Sequence, residues 1–363
     1  MNPALALAGL MKERNPDCEI LFVGARRGIE KRLVEPAGWP FRSVEISSFH
    51  RSLSPKEIRH NLISLRNLIR SPGEARALLE EFPAGLVIGT GGYASYPVIR
   101  AASKLGIPTA IHESNAIPGL TTKLLEKHTD LIMVGFEKCR ENYKKPDKVL
   151  VTGTPVRGGF FLLTKKQAKQ KLGMDDGRPL IVSFWGSLGA AEMNRQMAAF
   201  FALEAKNGAP FHHVHGAGTI GYRHMAGYLE AAGVDLGKCP GLEVREYIQD
   251  MDVMMRAADL VISRAGASTI SELTALGVPA VIVPSPNVTH NHQEFNARVL
   301  ADAGGAVMIL EKDSSGQVLY DAARRVLDDP EKKKRMSRAM SDLGTIDSAE
   351  KIYAAVMALR KAK

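Results

Sequence analysis

A single carboxylate, Glu272, sits in the first turns of a helical stretch between two apolar runs, within VISRAGASTISELTALGVPAVIVPSPN at 261–287. The flanking runs DLVIS and AVIVP have the continuous branched character of parallel strands covered on both faces. The helix between them therefore starts at the carboxyl edge of a sheet, where open α/β folds bind ligands. Two roles are open to the glutamate there. The string TISE, Thr269–Glu272, fits a capping box in which the carboxylate reaches back to a backbone N–H. Alternatively, an acidic side chain at this edge accepts hydrogen bonds from the two ribose hydroxyls of a nucleotide.

Two glycine-rich turns, VIGTGGYAS at 87–95 and VSFWGSLGAAE at 182–192, each follow an apolar strand and precede a helix. Glycines at such a turn let the backbone approach a phosphate, and the helix N-terminus favours its charge. The plain alternative is a tight turn that needs glycine. Neither turn is a strict GxGxxG fingerprint or carries the Lys-Ser/Thr of a P-loop. One such turn in each half points to two phosphorylated ligands, in keeping with a net charge of +9. His213 and His215 share a strand face in HHVH, and HNH supplies His290 and His292, but no cysteine or carboxylate stands at a metal-site spacing, so no metal is expected. The acidic pair of DMD, 250–252, starts a helix with Asp250 as its cap. In SPKEIRHNLISLRNLIR, 54–70, Ile58, Leu62, Leu65 and Ile69 line one helical face and Arg59, Arg66 and Arg70 another; this is either a solvated charged face or a contact with a lipid surface.

The elements that must position these residues alternate between strand and helix almost throughout. Strand candidates are EILFVG, FRSVEI, AGLVIGT, IPTAIHE, DLIMVG and KVLVTG, then PLIVSF, FHHVHG, LEVREY, DLVIS, AVIVP and GAVMIL. Alternation at this spacing predicts parallel βαβ units, and so many strands predict two Rossmann-like domains with the break at TGTPVRGGF, 152–160. The 363 residues suffice for both. Aromatic residues make up only 6%, too few for stacking platforms, and no nucleic-acid module is present, so nucleic acid is not an expected partner. Cys18, Cys139 and Cys239 are scattered, which fits a reducing compartment without a disulfide framework. No apolar run approaches the roughly 20 residues of a membrane helix, so any membrane contact is peripheral. The start, MNPALALAGLMKERNP, lacks a basic leader and cleavage site.

The strings GTGGYAS, HESNAIPGLTTK, TGTPVR, WGSLGA, YIQDM, SRAGASTISELTALGVP and PSPNVTHNHQEFNA occur in that order along nearly the whole chain. As an ordered set they closely resemble the MurG family of bacterial N-acetylglucosaminyltransferases. The resemblance implies an α/β GT-B fold, two Rossmann-like domains with parallel sheets facing a central cleft. It implies transfer of GlcNAc, with inversion, from UDP-GlcNAc to the C4 hydroxyl of undecaprenyl-diphospho-N-acetylmuramoyl-pentapeptide (lipid I). The site implied is the cytoplasmic side of the cell membrane, with the protein held peripherally on an anionic surface and no cofactor required. Residues 1–156 would form the acceptor and membrane-side domain, 157–344 the donor domain, and 345–363 a helix packing back on the first.

By the same resemblance, Glu272 meets the donor ribose and Ile248 lies by the uracil. Arg157 and Ser187 also bind the donor, Asn115 and Gln293 contact its GlcNAc, and the helix beginning at Ala267, Ser268 and Thr269 points its amides at the diphosphate. Gly89, Gly91, Gly92 and Tyr93 belong to the acceptor side. The family pattern opens with a strand, a Gly-Gly-Thr-Gly-Gly-His loop and a Pro-Ala-Leu-Ala helix, whereas this sequence opens inside that helix, and Trp185 stands where glycine is frequent. The expectation is a first domain lacking one interior strand, which binds donor through the second domain but transfers poorly. With the family's histidine absent, His112 or Glu113 is the candidate base. Rival readings are a UDP-GlcNAc 2-epimerase sharing the GT-B architecture and a non-catalytic nucleotide-sugar-binding protein.

Overall fold

The computed structural model describes residues 2–28, 30–47, 54–186, 189–288 and 291–361. The chain divides into two compact units, Met1–Val156 with Ile346–Lys363, and Arg157–Thr345. Strands of the first unit are β1 (Phe22–Ala25), β2 (Phe41–Val44), β3 (Val87–Gly89), β4 (Thr109–Glu113), β5 (Leu131–Val134) and β6 (Val149–Val151). Its helices are α1 (Asn2–Arg14), α2 (Glu30–Val34), α3 (Pro55–Glu81), α4 (Ser95–Lys104), α5 (Leu120–Leu125) and, from the far end of the chain, α14 (Ser348–Lys361). The second unit carries β7 (Leu180–Phe184), β8 (His212–Gly216), β9 (Leu242–Arg245), β10 (Leu260–Ser263), β11 (Ala280–Ile282) and β12 (Ala306–Met308). Its helices are α6 (Lys165–Leu172), α7 (Ala191–Lys206), α8 (Tyr222–Ala231), α9 (Met251–Ala257), α10 (Ala267–Leu276), α11 (His292–Asp302), α12 (Gly316–Leu327) and α13 (Pro330–Leu343). Eleven of the twelve described strands fall inside the apolar runs read from the sequence, β1 runs one residue past EILFVG to Ala25, and every pairing is parallel.

In the second unit the six strands run β12-β11-β10-β7-β8-β9. The chain winds outward from β7 to β9, returns to β10 on the other side of β7, and winds out again to β12. Strand order thus reverses between β7 and β10, and the loops after those two strands part there, the usual ligand position in an open α/β sheet. β7, β8 and β10 are buried along nearly their whole length, as strands covered by helices on both faces must be.

The first unit is divided. β1 and β2 form a two-stranded ladder, and β3-β4-β5-β6 a separate four-stranded sheet. Helices α1 and α14 cover one face of the latter, where Leu7, Ala110, Met133, Ile352 and Val356 share a core, and Arg14 pairs with Glu350 at 2.6 Å. The free edges of β1 and β3 carry unused hydrogen-bonding groups. Phe22 N–H donates to Pro40 C=O and Arg26 N–H to Val44 C=O, so the intervening Val23 turns its backbone away from β2. Val87 N–H donates to Pro108 C=O, which turns Ile88 away from β4. Both edges line one cavity of about 860 Å³, together with apolar side chains such as Leu7, Leu79 and Met357. Among the described residues no strand pairs with either edge.

An extended apolar segment of five or six residues, fused ahead of Asn2 so as to lie parallel between β1 and β3, is expected to pair with both edges. Each kcal/mol so gained in a domain of this size raises the melting temperature by roughly 2–4 °C. Calorimetry checks this: a fused chain that melts with the original would show the cavity to be no strand slot.

Candidate functional site

The two loops at the switch point of the second unit are held by residues of opposite charge. β10 ends at Ser263, and Arg264, mostly buried, follows. Its guanidinium pairs with Glu311 at 2.6 Å, donates to the Val283 carbonyl at 3.1 Å and lies over the ring of Trp185, 5.8 Å from its centroid. One side chain therefore ties the end of β10 to the loops after β7 and β11. Buried Asn296 of α11 donates to the Ala265 carbonyl at 3.0 Å and fixes the next residue. α10 then starts at Ala267 with Gly266 as its cap, and its first internal bond runs from Ile270 N–H to the Gly266 carbonyl at 2.9 Å. The amides of Ala267, Ser268 and Thr269 precede that bond, so the helix presents free donors and the positive end of its dipole at the sheet edge.

This geometry decides between the two roles of Glu272. Thr269 is the third residue of α10 rather than its cap, and the cap makes no side-chain hydrogen bond, so no capping box forms. Glu272 is half-buried and accepts no hydrogen bond among the described residues. Burial raises its carboxyl to about 7, against the opposing pull of the Arg157 guanidinium. A glutamate left in this state lacks hydrogen-bond donors. Arg157 itself is exposed, over the ring of Phe160 at 5.6 Å. Ile248 is buried and packs on the end of β8, where a Cβ on Gly216 would meet its Cδ1 at 3.3 Å. Gln293 accepts from the Ser285 amide at 2.9 Å and so steadies the loop after β11. Ser187 and His290 lie outside the described residues.

Neither of the remaining second-unit features holds a metal in this geometry. His213 and His215 do share one face of β8, but that face points into the core and their ring nitrogens are taken by Ser183, Glu204 and Asn194. Asp250 stands at the N-cap position of α9 without capping it, because its carboxylate is drawn to Arg245 at 3.0 Å.

In the first unit, Gly91 and Gly92 take positive φ angles of 80° and 74°, which explains the glycine pair in GTGGY. Ser95, first residue of α4, donates to the Gly91 carbonyl at 2.6 Å, and a Cβ on Gly89 would press on Ser95 Cβ at 3.1 Å. Tyr93 is half-buried, and burial, then nearby Glu30, raises its phenol. The candidate bases are differently placed from the sequence expectation. His112 is buried, with Nε2 on the Gly153 carbonyl at 2.8 Å and Nδ1 on the Ser114 hydroxyl at 3.3 Å; burial lowers its pKa, against the effects of Gly153 and Glu113. Glu113 accepts from the Asn115 amide and side chain at 3.1 and 2.9 Å, from Gly119 N–H at 3.1 Å and from Thr122 at 2.8 Å. Both side chains are committed to holding the HESN turn, and through it Asn115.

The sequence reading passed over Arg264, Asn296 and Glu311. The first two lie inside strings quoted above, and an arginine directly after a fully apolar strand was the available signal; Glu311 had none.

Residues 1–134 match the glycosyltransferase family 28 N-terminal domain and 180–352 the family 28 C-terminal domain. A UDP-N-acetylglucosamine--N-acetylmuramyl-(pentapeptide) pyrophosphoryl-undecaprenol N-acetylglucosamine transferase of Acetivibrio thermocellus is 39% identical over 363 residues, 100% of this chain and 96% of the relative. The chain belongs to this transferase family. The protein of the same name in Bacillus subtilis is 33% identical over 99% of this chain and 96% of its own length. Among solved structures, Acinetobacter baumannii MurG superposes with a TM-score of 0.75 at 23% identity, over 98% of this chain and 95% of that one. A UDP-GlcNAc 2-epimerase of Neisseria meningitidis bound to UDP-GlcNAc reaches 0.66 at 15% identity, over 98% and 96%. At these identities the superpositions establish the GT-B fold alone.

Proposed function

We propose that this protein transfers GlcNAc, with inversion, from UDP-GlcNAc to the C4 hydroxyl of undecaprenyl-linked N-acetylmuramoyl-pentapeptide, the lipid I to lipid II step of peptidoglycan synthesis on which cell shape and division depend. The observation that carries this reading is full-length identity of 33–39% to transferases of that name. The epimerase likeness reaches only the fold.

The geometry of the second unit supports a donor site at its switch point. The N-terminus of α10, with the amides of Ala267, Ser268 and Thr269, suits the diphosphate and stabilises the departing UDP as charge builds on it. Glu272, one turn further along α10 and short of donors, suits the ribose hydroxyls. Ile248 offers an apolar wall for uracil, and Arg157, Ser187 and Gln293 complete the donor contacts. In the first unit, the Gly89–Tyr93 turn ahead of α4 suits the acceptor diphosphate, and Asn115, fixed by Glu113, suits GlcNAc. His112 and Glu113 act as positioning groups.

The protein also docks peripherally on an anionic lipid surface at the cytoplasmic side of the membrane. Among the described residues no helix is long and apolar enough to cross a membrane. Supporting the peripheral contact, α3 leaves Ile58, Leu62, Leu65 and Ile69 exposed at 48, 64, 47 and 72%, beside exposed Arg59, Arg66 and Arg70. An apolar stripe left in water beside arginines is the pattern of an interfacial helix. The basic stretch continues toward 48–53, outside the described residues.

Replacing Arg59, Arg66 and Arg70 with Gln is expected to reduce co-sedimentation with anionic vesicles, and salt to weaken the wild-type contact. Unchanged binding would make α3 a solvated face.

A transfer assay with UDP-GlcNAc and a lipid-linked muramoyl-pentapeptide is expected to yield the disaccharide product, and UDP-GlcNAc alone no UDP-ManNAc. Glu272→Ala should weaken donor binding by roughly 1–3 kcal/mol, the scale of lost hydrogen bonds to a charged group. Formation of UDP-ManNAc without acceptor would contradict the transferase reading, and wild-type donor affinity in Glu272→Ala would remove the ribose role.

A further inference from the structure

The core of the second unit contains a continuous chain of buried polar groups that the donor site does not use directly. Glu204 and Asn194 stand on the inner face of α7, ten residues apart, and Ser183, His213 and His215 on β7 and β8; all five are fully buried. The chain runs from Glu204 Oε2 to His213 Nδ1 at 2.9 Å, from His213 Nε2 to Ser183 Oγ at 2.8 Å and from Ser183 Oγ to His215 Nδ1 at 2.8 Å. It continues from His215 Nε2 to Asn194 Oδ1 at 3.1 Å and ends where Asn194 Nδ2 donates to the Ala217 carbonyl at 2.9 Å.

Its protons can be placed by elimination. Ala217 offers only an acceptor, so Asn194 presents its NH₂ there and its oxygen to His215. His215 Nε2 must then carry a proton. Burial foremost, with His213 adding to it, holds His215 down to about 3, so the ring is neutral and Nδ1 is an acceptor. Ser183 must donate its one proton to that Nδ1, and can only accept from His213, whose Nε2 is therefore protonated. Between His213 Nδ1 and Glu204 one more proton is required, on the imidazole or on the carboxyl, because a bare carboxylate facing a bare lone pair would repel it. The four hydrogen bonds from His213 onward therefore all point toward Ala217.

The Ala217 carbonyl is where this direction matters. It is wedged between the two loops at the carboxyl edge: a Cβ on Gly189 would lie 2.1 Å from it and one on Gly221 2.3 Å. Gly189 closes the glycine turn after β7, with φ of 78°, and Gly221 caps α8.

We infer that Glu204 is a remote positioning residue for the donor site, holding the His213 ring through their shared proton and so steadying the chain that fixes the Ala217 carbonyl and the glycines packed on it. This rests on the donor-site reading above. The hydrogen-bond direction does not, and can be measured separately.

Nitrogen-15 spectra of the wild-type histidine rings are expected to show His215 neutral with its proton on Nε2, and His213 protonated on Nε2. A proton on His215 Nδ1 would overturn the chain whatever the site binds. Glu204→Gln keeps a hydrogen-bond partner for His213 Nδ1, as donor or acceptor, and should hold the UDP dissociation constant within about twofold of wild type. Glu204→Met removes that partner and should weaken UDP binding about tenfold, the scale of one lost buried hydrogen bond. A merely structural role would lower the melting temperature of both variants without separating their affinities. Folded Glu204→Met that binds UDP like wild type would overturn the positioning role; wild type that binds no UDP would instead remove the donor reading.

Discussion

Every polar group in a parallel sheet covered on both faces must find a partner inside the protein or be carried to the carboxyl edge, and the second unit is organised by that constraint. A buried polar atom without a partner costs on the order of 1–3 kcal/mol, more if charged. Arg264 meets this by ion pair, carbonyl and indole ring together, and in doing so ties the end of β10 to the loops after β7, β11 and β12. Asn296 and Asn194 perform the same service for the carbonyls of Ala265 and Ala217. With the edge so fixed, the first amides of α10 and the carboxylate of Glu272 are among the groups with capacity to spare. In the reading proposed above, a ligand that supplies hydroxyl donors and a diphosphate would complete the arrangement.

The first unit meets the same constraint unevenly. Glu113 satisfies four donors and so makes a rigid turn of HESN, while His112 ties that turn to Gly153. Yet β1 and β3 leave backbone groups facing a shared cavity. Open edges of this kind accept a further strand readily, and they mark the least stable part of the sheet.

The strands were legible because continuous runs such as LIVSF and DLVIS have few other uses in a soluble chain, and the glycine pair of GTGGY because only glycine takes two successive positive φ angles cheaply. The helix start at Ala267 was legible, but TISE fits a capping box in isolation and left the role of Glu272 open; the tertiary fold puts the cap at Gly266. The sequence shows His112 beside Glu113, not that both are buried with their atoms in hydrogen bonds. The chain from Glu204 to Ala217 was beyond reach for a related reason: its members are spread over 183–217, and only the register of β7 with β8 brings Ser183 beside His215.

The central proposal is that a nucleotide sugar supplies hydrogen-bond donors to Glu272. Its carboxyl, raised by burial to about 7, is near half-protonated at neutral pH. Hydroxyls donating to it favour the ionised form and lower its pKa, so donor binding should expel a proton and strengthen as pH rises through 7. UDP-GlcNAc has no phosphate proton in this range to confuse the reading. Calorimetry of UDP-GlcNAc binding near pH 7, in two buffers of different ionisation enthalpy, should show release of about half a proton per site, abolished in Glu272→Gln. Binding without proton release in the wild type, or equal release in Glu272→Gln, would contradict the account.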